Sequence, residues 1–370
     1  MSNRRRKKLF LFVIIIIMGK IINILCLVFF AMSLLQSCST DVDLYADYKD
    51  IPIVYGIIDA DLDTNYVKIV RAFSGTNDHH INAVEVALIA DSNNYPGKLD
   101  ARIIELMKNS YGDYTPTGRV FQLDTMTIHD KKPGLFYAPD QKLYYTTEHF
   151  NKDDVDHNRK YRYRLQIFKE SDTVSAETGL VGGGSFRLLT LKVNFSETFH
   201  SEGKVKFTPV NNGYLYDINM HFQYKEQKPD QPMTNEEMTW SLGCFGLDEM
   251  EQESEGIYSV SYSGDAFYHL LGRKIGADTL NVDRLIGKCF ISIAAGGQDF
   301  YSYYLMNEHA SSINQSVPGY ALLNNIDGGY GLFSSRNRVI GEVGISARTI
   351  YELITHPGWG FRQDIKTEQE

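Results

Sequence analysis

After residue 50, apolar and polar side chains alternate with a period of two over much of the chain. The clearest case is residues 214–224, where every second side chain is apolar or aromatic and most of the intervening ones are polar. This pattern is typical of a strand with one buried face. Runs of the same kind predict further strands at residues 51–58, 66–73, 161–168, 173–180 and 285–295.

The hydrophobic period changes to that of a helix at a few places. Residues 263–275 begin with a serine suited to an N-cap, carry apolar side chains at helical spacing, and are followed by Gly276 as a stop signal. Further helices are predicted at residues 102–108, 299–307 and 347–354.

Three consecutive glycines divide the chain into two halves. No Lys-Ser/Thr pair and no predicted helix follow them, so residues 182–185 are interpreted as a Gly-rich linker rather than a phosphate loop. Residues 51–181 contain successive strands without helical repeats, which predicts an antiparallel sandwich. Residues 186–370 predict a second, larger β domain with two or three short helices. The predicted fold class is therefore mostly β in two domains.

The first 37 residues have the pattern of a signal peptide. A basic stretch precedes an apolar segment, which ends in the lipobox-like run Leu35-Gln36-Ser37-Cys38. Cleavage before Cys38 would make its thiol the lipidation site, with residues 38–50 as the tether. The alternative is an uncleaved apolar anchor in which Cys38 is incidental. Met18 is a second candidate start, because a complete signal of normal length follows it.

The charge balance depends on this processing. The chain has 37 Lys+Arg and 46 Asp+Glu, and the signal contains six of the basic residues and no acidic one. The mature chain of about 330 residues would therefore carry 31 basic and 46 acidic side chains, a net charge of −15. Such a chain repels nucleic acid and anionic lipid headgroups. The 24 Tyr and 20 Phe favour strands.

Two cysteines remain once the signal and the lipidation site are set aside. Cys244 and Cys289 both lie beside strand-like runs, in a compartment that permits disulfides. They are interpreted either as a disulfide pair or as two buried free thiols in a β core.

The acid-rich run between the first two predicted strands, residues 59–65, is a candidate cation loop. Alternating Asp side chains can bind Ca²⁺ through their oxygens. This run lacks the central Gly and the distal Glu of a calcium loop, and Asp and Asn are favoured in turns. We interpret it as a hairpin turn.

Candidate catalytic residues are sparse. The sequence contains no His-Glu-x-x-His zinc signature and no Gly-x-Ser-x-Gly elbow. His79-His80 is a weak candidate for a metal cluster, and a solvated loop explains the pair more simply. Glu308-His309 and the serines after it lack a third partner and an oxyanion hole. The two tryptophans, Trp240 and Trp359, could stack on a sugar ligand, but they are expected to pack in hydrophobic cores. The sequence therefore predicts no enzyme activity, no metal site and no cofactor.

The segment from Gln315 to Arg336 is distinctive, above all the run Asn325-Ile326-Asp327-Gly328-Gly329-Tyr330-Gly331-Leu332-Phe333. It resembles the ending of a family of uncharacterised Bacteroidota lipoproteins with a domain of unknown function, although Asp327 departs from the usual residue before the glycines. Cys38 and residues 54–57 and 66–73 resemble the same family. The resemblance implies an outer-membrane lipoprotein with an immunoglobulin-like first domain, often near outer-membrane transporters, and supplies no catalytic residues.

These observations predict a non-enzymatic binding or assembly protein, lipid-anchored in the outer membrane. Its partners would be the membrane itself through the anchor, and either outer-membrane proteins or glycan, but not nucleic acid. The alternative is a hydrolase of glycan or peptide whose carboxylates only the fold brings together. The segment Gly328 to Phe333 is expected to be structural, a tight turn that leads into a buried strand.

Overall fold

In the computed structural model, the described residues are 18–20, 22, 50–72, 94–129, 140–150, 161–169, 172–182, 186–276, 282–311 and 325–363. The chain forms two compact units. Tyr48–Gly75 with Asn82–Glu370 is one; Met1–Asp47 with Thr76–Ile81 is the other, and its described residues, 18–20 and 22, are helical. Among the described residues, no helix is both long enough and apolar enough to cross a membrane. Cys38 and His79-His80 lie outside the described residues.

The described residues of the first half form eight strands. They are β1 (Pro52–Asp59), β2 (Asn65–Arg71), β3 (Asp100–Lys108), β4 (Tyr114–Gln122), β5 (Asp124–Ile128), β6 (Gln141–Thr146), β7 (Tyr161–Lys169) and β8 (Asp172–Thr178).

These strands form the predicted immunoglobulin-like sandwich. One sheet has the order β1-β2-β6-β5 and the other β8-β7-β3-β4, and every neighbouring pair is antiparallel. The orders match strands ABED and GFC of an immunoglobulin domain, with β4 as an added strand. Inward side chains of both sheets build the first core, for example Val54, Ile103, Phe121, Tyr144 and Leu165.

The second half adds eleven described strands and three described helices. They are β9 (Arg187–Leu188), β10 (Lys192–Val193), β11 (Glu202–Thr208), β12 (Leu215–Gln227), β13 (Thr234–Gly246), β14 (Glu251–Ser254), β15 (Ile257–Ser263), α1 (Gly264–Ile275), β16 (Asp283–Gly296), α2 (Gln298–Ser311), β17 (Ile326–Asp327), β18 (Tyr330–Ile345), α3 (Ala347–Thr355) and β19 (Phe361–Gln363), with a 3₁₀ turn at Leu247–Glu249.

A second core lies between the sheet β14-β15-β11-β9, the strands β13-β12-β16-β18, and helices α1 and α3. The alternation predicted for β12 is confirmed, because the side chains of one face are at most 3% exposed: Tyr216, Ile218, Met220, Phe222 and Tyr224. Helix α1 begins after Ser263 and ends at Gly276 as expected. Ser346 caps α3 by accepting a hydrogen bond from the Thr349 amide at 3.1 Å.

The two halves are joined in two sheets, because β17 of the second half pairs antiparallel with β8 at the edge of the sheet β8-β7-β3-β4. Strand β1 pairs in parallel with β18, from Ile53 opposite Tyr330 to Asp59 opposite Arg336, and this pairing joins both halves in a ten-stranded sheet. The cores divide between Leu180 and Val181, next to the predicted linker, except that Ile326 and Phe333 belong to the first core. The two cores thus divide beside the predicted linker, although the halves share sheets.

The short helix predicted at residues 102–108 is wrong, because these residues form most of β3. Ala101, Ile103 and Glu105 all point inward. The polar residue at the third of these positions hides the period of two. Glu105 is tolerated there because the Tyr163 hydroxyl donates to it at 3.3 Å and Thr117 donates at 3.1 Å.

Helix α3 is fixed by a buried carboxylate. Glu352 is 9% exposed and accepts hydrogen bonds from Ser196 Oγ at 2.8 Å and from Arg348 Nε at 2.7 Å. Burial raises the pKa of this carboxyl, but the hydrogen bonds from Ser196, Thr198 and Arg348 outweigh it and lower the pKa to about 2.

Neither Cys244 nor Cys289 forms a disulfide bond within the described residues. Strand β12 lies between their strands, and their neighbours on it, Asp217 and Phe222, are five residues apart. This offset alone is about 17 Å along the sheet at roughly 3.4 Å per residue. A disulfide needs Cα atoms within about 7 Å, so the bridge considered from the sequence does not form in this fold. Burial raises the pKa of Cys289 to about 12.

The glycine-rich run before β18 is a turn that enters a buried strand. Gly328 and Gly331 have φ angles of 77° and 123°, whereas the third glycine of the run, Gly329, is not left-handed. A Cβ on Gly331 would overlap the carbonyl oxygen of Val54 in the paired strand. Phe333 is fully buried. These contacts agree with a structural role for the segment.

Candidate binding surface

An aromatic stripe crosses the outward face of the first sheet. In the strand register, Tyr55 on β1 lies opposite Leu332 of β18 and Lys68 of β2. Two residues before Lys68, Tyr66 lies opposite Tyr145 of β6. Because alternate residues of a strand share a face, these side chains all point away from the first core. The stripe is defined by five residues: Tyr330, Tyr55, Tyr66, Tyr145 and Met126.

The stripe is exposed, in contrast to the inner face of the same strands. Tyr330, Tyr55 and Tyr66 are 44%, 45% and 43% exposed, whereas Val54 and Val67 are at most 1% exposed. An antiparallel sheet with one solvated face normally carries polar residues on that face. The exposed aromatic side chains, with Lys68 and Asp124 beside them in the register, depart from this pattern and make the face a candidate binding surface.

The rings of the stripe are held in place by each other and by helix α2. The Tyr66 and Tyr145 rings lie 6.4 Å apart at 43°. The Tyr55 hydroxyl is hydrogen-bonded to that of Tyr303 on α2; burial, and then this contact, raise the pKa of Tyr55. Tyrosines restrained in this way lose little conformational entropy on binding, which favours their use in a docking surface.

The acid-rich turn at residues 59–65 connects β1 to β2 as a hairpin, as predicted. Its carboxylates bind other parts of the chain. Arg336 Nε donates to Asp59 at 3.0 Å, and Asn337 Nδ2 donates to Asp61 at 2.7 Å. No group of three or more His, Cys, Asp or Glu side chains within the described residues could hold a metal ion. These two hydrogen bonds hold the turn after β1 against β18.

A polar constellation that the sequence did not reveal lies farther along the ten-stranded sheet. Ser292 Oγ on β16 lies 2.9 Å from His221 Nε2 on β12, and His221 Nδ1 lies 3.1 Å from Glu237 Oε1 on β13. A hydrogen bond from Gln223 lowers the pKa of Glu237, against an opposing effect of burial. Serine, histidine and carboxylate in this order match a hydrolase triad.

The surroundings of Ser292 do not complete that chemistry. It is 4% exposed and lies in mid-strand, paired with Asn219 on one side and Ile340 on the other. Neighbouring backbone amides belong to the ladder, so the described strands around Ser292 offer no oxyanion hole. The constellation therefore has the contacts of a triad without access or transition-state stabilisation.

A groove of about 720 Å³ opens where β18 leaves β16. Val343, Ile345 and Ile350 contribute apolar lining. Three carboxylates line the groove: Glu342 pairs with Lys288 at 2.8 Å, Glu236 with Lys274 at 3.2 Å, and Glu237 with His221 at 3.1 Å. Each of these carboxylates is thus engaged by a basic side chain.

The remaining candidates from the sequence are structural or outside the described side chains. Trp240 packs on Phe195 and Tyr262, and Trp359 is 9% exposed and stacks on Tyr268. Both tryptophans therefore belong to the second core, as expected. Residues 308 and 309 lie in the last part of α2, residues 307–311, of which only the backbone is described.

Comparisons with known proteins do not assign a family. No family model matches the chain, and no curated protein matches it. One similar solved structure is a DUF4785 family protein from Legionella pneumophila, with 11% identity and a TM-score of 0.22, covering 65% of this chain; this chain spans 52% of that protein. Another is CBD12 from CALX1.2, with 8% identity and a TM-score of 0.16, covering 79% of this chain and 99% of that one. Similarities at this level support no inference about the function of this chain.

Proposed function

We propose that this protein is a non-enzymatic binding protein, lipid-anchored in the outer membrane, whose tyrosine stripe docks a membrane-embedded protein. The observation that supports the proposal most directly is the exposure of Tyr330, Tyr55 and Tyr66 on the outward face of one sheet. Tyrosine is enriched in the buried centres of protein interfaces, and it combines apolar area with a hydroxyl that can pair on binding.

The position of the stripe in the chain supports a partner in the membrane. If Cys38 carries the lipid, residues 39–51 separate the anchor from β1, on which Tyr55 lies. Thirteen extended residues span at most about 45 Å. The stripe then remains within reach of proteins embedded in the same membrane. The net charge of −15 opposes contact with anionic headgroups, which favours a protein over the lipid surface.

Site-specific photo-cross-linking in intact cells tests the proposal. A benzophenone amino acid replaces Tyr66 in the stripe or, as a control, Tyr111, which is 91% exposed in the turn between β3 and β4. We expect position 66 to give an adduct with one membrane protein and position 111 to give none. The adduct should also disappear in a Tyr55→Ser, Tyr330→Ser background.

The proposal fails if position 66 gives no adduct, or if positions 66 and 111 give the same adducts. Because Tyr66, Tyr111 and Tyr330 point outward, substitutions there should leave stability within about 0.5 kcal/mol of the parent, whereas Tyr55→Ser also removes the hydrogen bond to Tyr303 and should cost about 0.5–1.5 kcal/mol more. A thermal melt of each variant checks that lost cross-linking is not lost folding.

The alternative is a hydrolase, and the Ser292–His221–Glu237 contacts are the observation that favours it. A fluorophosphonate probe, which labels activated serines, separates the two functions. Labelling of the parent protein that is lost in Ser292→Ala would support the hydrolase. We expect no labelling, because Ser292 is buried and lacks oxyanion donors.

A further inference from the structure

A polar pocket of about 210 Å³ lies on a different part of the molecule from the tyrosine stripe. It is lined by strands β4, β7 and β8 of the sandwich, by the chain that leads into β12, and by the first residues of α2. The side chains that matter for its chemistry are Tyr114, Tyr161, Tyr214, Arg162, Asn212 and Asp299.

The lining combines aromatic rings with hydrogen-bonding groups of both kinds. Three tyrosines are among the lining residues, and Arg162 lies over the ring of one of them, Tyr114. Arg162 has hydrogen-bond donors, Asp299 has acceptors, and Asn212 has both. The described lining residues include no Val, Leu, Ile, Met or Phe. A ligand that fits this lining presents many hydroxyl groups around a ring whose C–H edges can lie on tyrosine.

The charges in the pocket do not select an anion. Arg162 lies 5.4 Å from the centre of the Tyr114 ring and 3.9 Å from Glu177, so a neighbouring carboxylate offsets its charge. Burial raises the pKa of Asp299, whereas Arg162 and a hydrogen bond to Asn325 oppose the rise. One cation and one acid in the described lining, with Glu177 beside the cation, favour a neutral polar ligand over a phosphate or a carboxylate.

The walls are anchored by the fold. Asn212 donates its Nδ2 to the Leu180 carbonyl at 2.9 Å, and the Tyr214 amide donates to the Gly296 carbonyl at 2.9 Å. Side chains held by such bonds need little reorganisation when a ligand enters. The volume is smaller than the roughly 300–1,000 Å³ of sites for drug-sized ligands, so the pocket has room for one small ring.

We propose that this pocket binds a single neutral sugar ring, either as a free monosaccharide or as the terminal unit of a glycan. The tyrosine rings stack on the sugar, and Arg162, Asn212 and Asp299 hydrogen-bond to its hydroxyls. This site is independent of the membrane partner, because none of its lining residues belongs to the stripe.

Saturation-transfer NMR on the full mature chain tests the site. The probes are glucose, galactose, mannose and N-acetylglucosamine, each as the free sugar and as the methyl glycoside. We expect saturation transfer to at least one sugar with millimolar affinity. Tyr214→Ala and Asp299→Asn should weaken it roughly tenfold, the loss expected for one contact of about 1.4 kcal/mol.

Two controls separate this site from the rest of the protein. Tyr111→Ala and Tyr55→Ala should bind the sugar as the parent does, whatever the result of the cross-linking experiment. Binding of the free sugar but not of its methyl glycoside assigns a soluble sugar, and binding of both assigns a glycan end. The proposal is overturned if no probe shows transfer, or if Tyr214→Ala and Asp299→Asn bind like the parent.

Discussion

Replacing Phe333 by alanine tests whether the two cores unfold as one body. Phe333 lies on β18, in the second half of the sequence, but its fully buried ring packs in the first core. The ring lies against Gly56, where an added Cβ would come within 3.0 Å of it. Truncating a buried Phe to Ala costs about 3–5 kcal/mol. Because strand backbone lies beside the ring and cannot collapse into the space, we expect roughly 4–5 kcal/mol.

The assay is urea unfolding followed by two probes. Trp240 and Trp359 both pack in the second core, so tryptophan fluorescence reports on that half alone. Far-ultraviolet circular dichroism reports on strands of both halves. With an m-value of about 3 kcal/mol/M or more for a chain of this size, the midpoint should fall by roughly 1–1.5 M.

Phe121→Ala is the matched control. Phe121 is equally buried, and its aromatic neighbours, Phe150 and Tyr163, all lie in the first half. If the shared sheet couples the cores, both substitutions lower the fluorescence and the dichroism midpoints together. If Phe121→Ala leaves the fluorescence midpoint at the parent value, the halves unfold separately, and the coupling argument is refuted.

Three further predictions follow from single sites. The pKa of Glu352 in the folded protein is about 2, below its ordinary value. The ionised carboxyl therefore stabilises the fold above about pH 4.5, and this stabilisation is lost as the pH falls through 2. Measured by urea titration, Glu352→Gln should lower the unfolding free energy by roughly 3 kcal/mol at neutral pH and by much less near pH 2.5. Gly331→Val should lower the melting temperature by many degrees through its overlap with Val54, whereas Gly344→Val, with only ordinary contacts nearby, should not; equal melts would contradict the strain argument. Cys38→Ser should release the protein from membranes; an uncleaved form that resists carbonate washing would instead establish the apolar anchor.

The sequence predicted the elements whose pattern is local. The period of two in β12 and the capping serine of α3 both depend on neighbouring residues, and both were correct. The helix predicted at residues 102–108 was wrong because one residue interrupts the local pattern of alternation. Glu105 stands at an inward position, and only its distant partners Tyr163 and Thr117 explain why a carboxylate is stable there.

The candidate surfaces were not predictable in the same way. Tyr55, Tyr66 and Tyr330 each occupy outward strand positions, but nothing near them in sequence says that β1 pairs with both β2 and β18. The contact between Ser292 and His221 spans 71 residues. The register between strands that are distant in sequence is set by the complete fold. A site built from side chains on three such strands therefore has no characteristic residue spacing in the sequence.

The parallel pairing of β1 with β18 sets an order of events during biosynthesis. Asp59 and Arg336 are 277 positions apart, and the first core also needs Phe333. At about 5–20 residues per second, the ribosome takes roughly 15–55 s to bridge that interval. During this time β1 has β2 as a neighbour on one side and an open edge on the other, which is an aggregation hazard. Contacts this distant also slow folding. The chain should therefore depend on a holding chaperone until its last hundred residues emerge, and a truncation before β18 should aggregate rather than yield a stable sandwich.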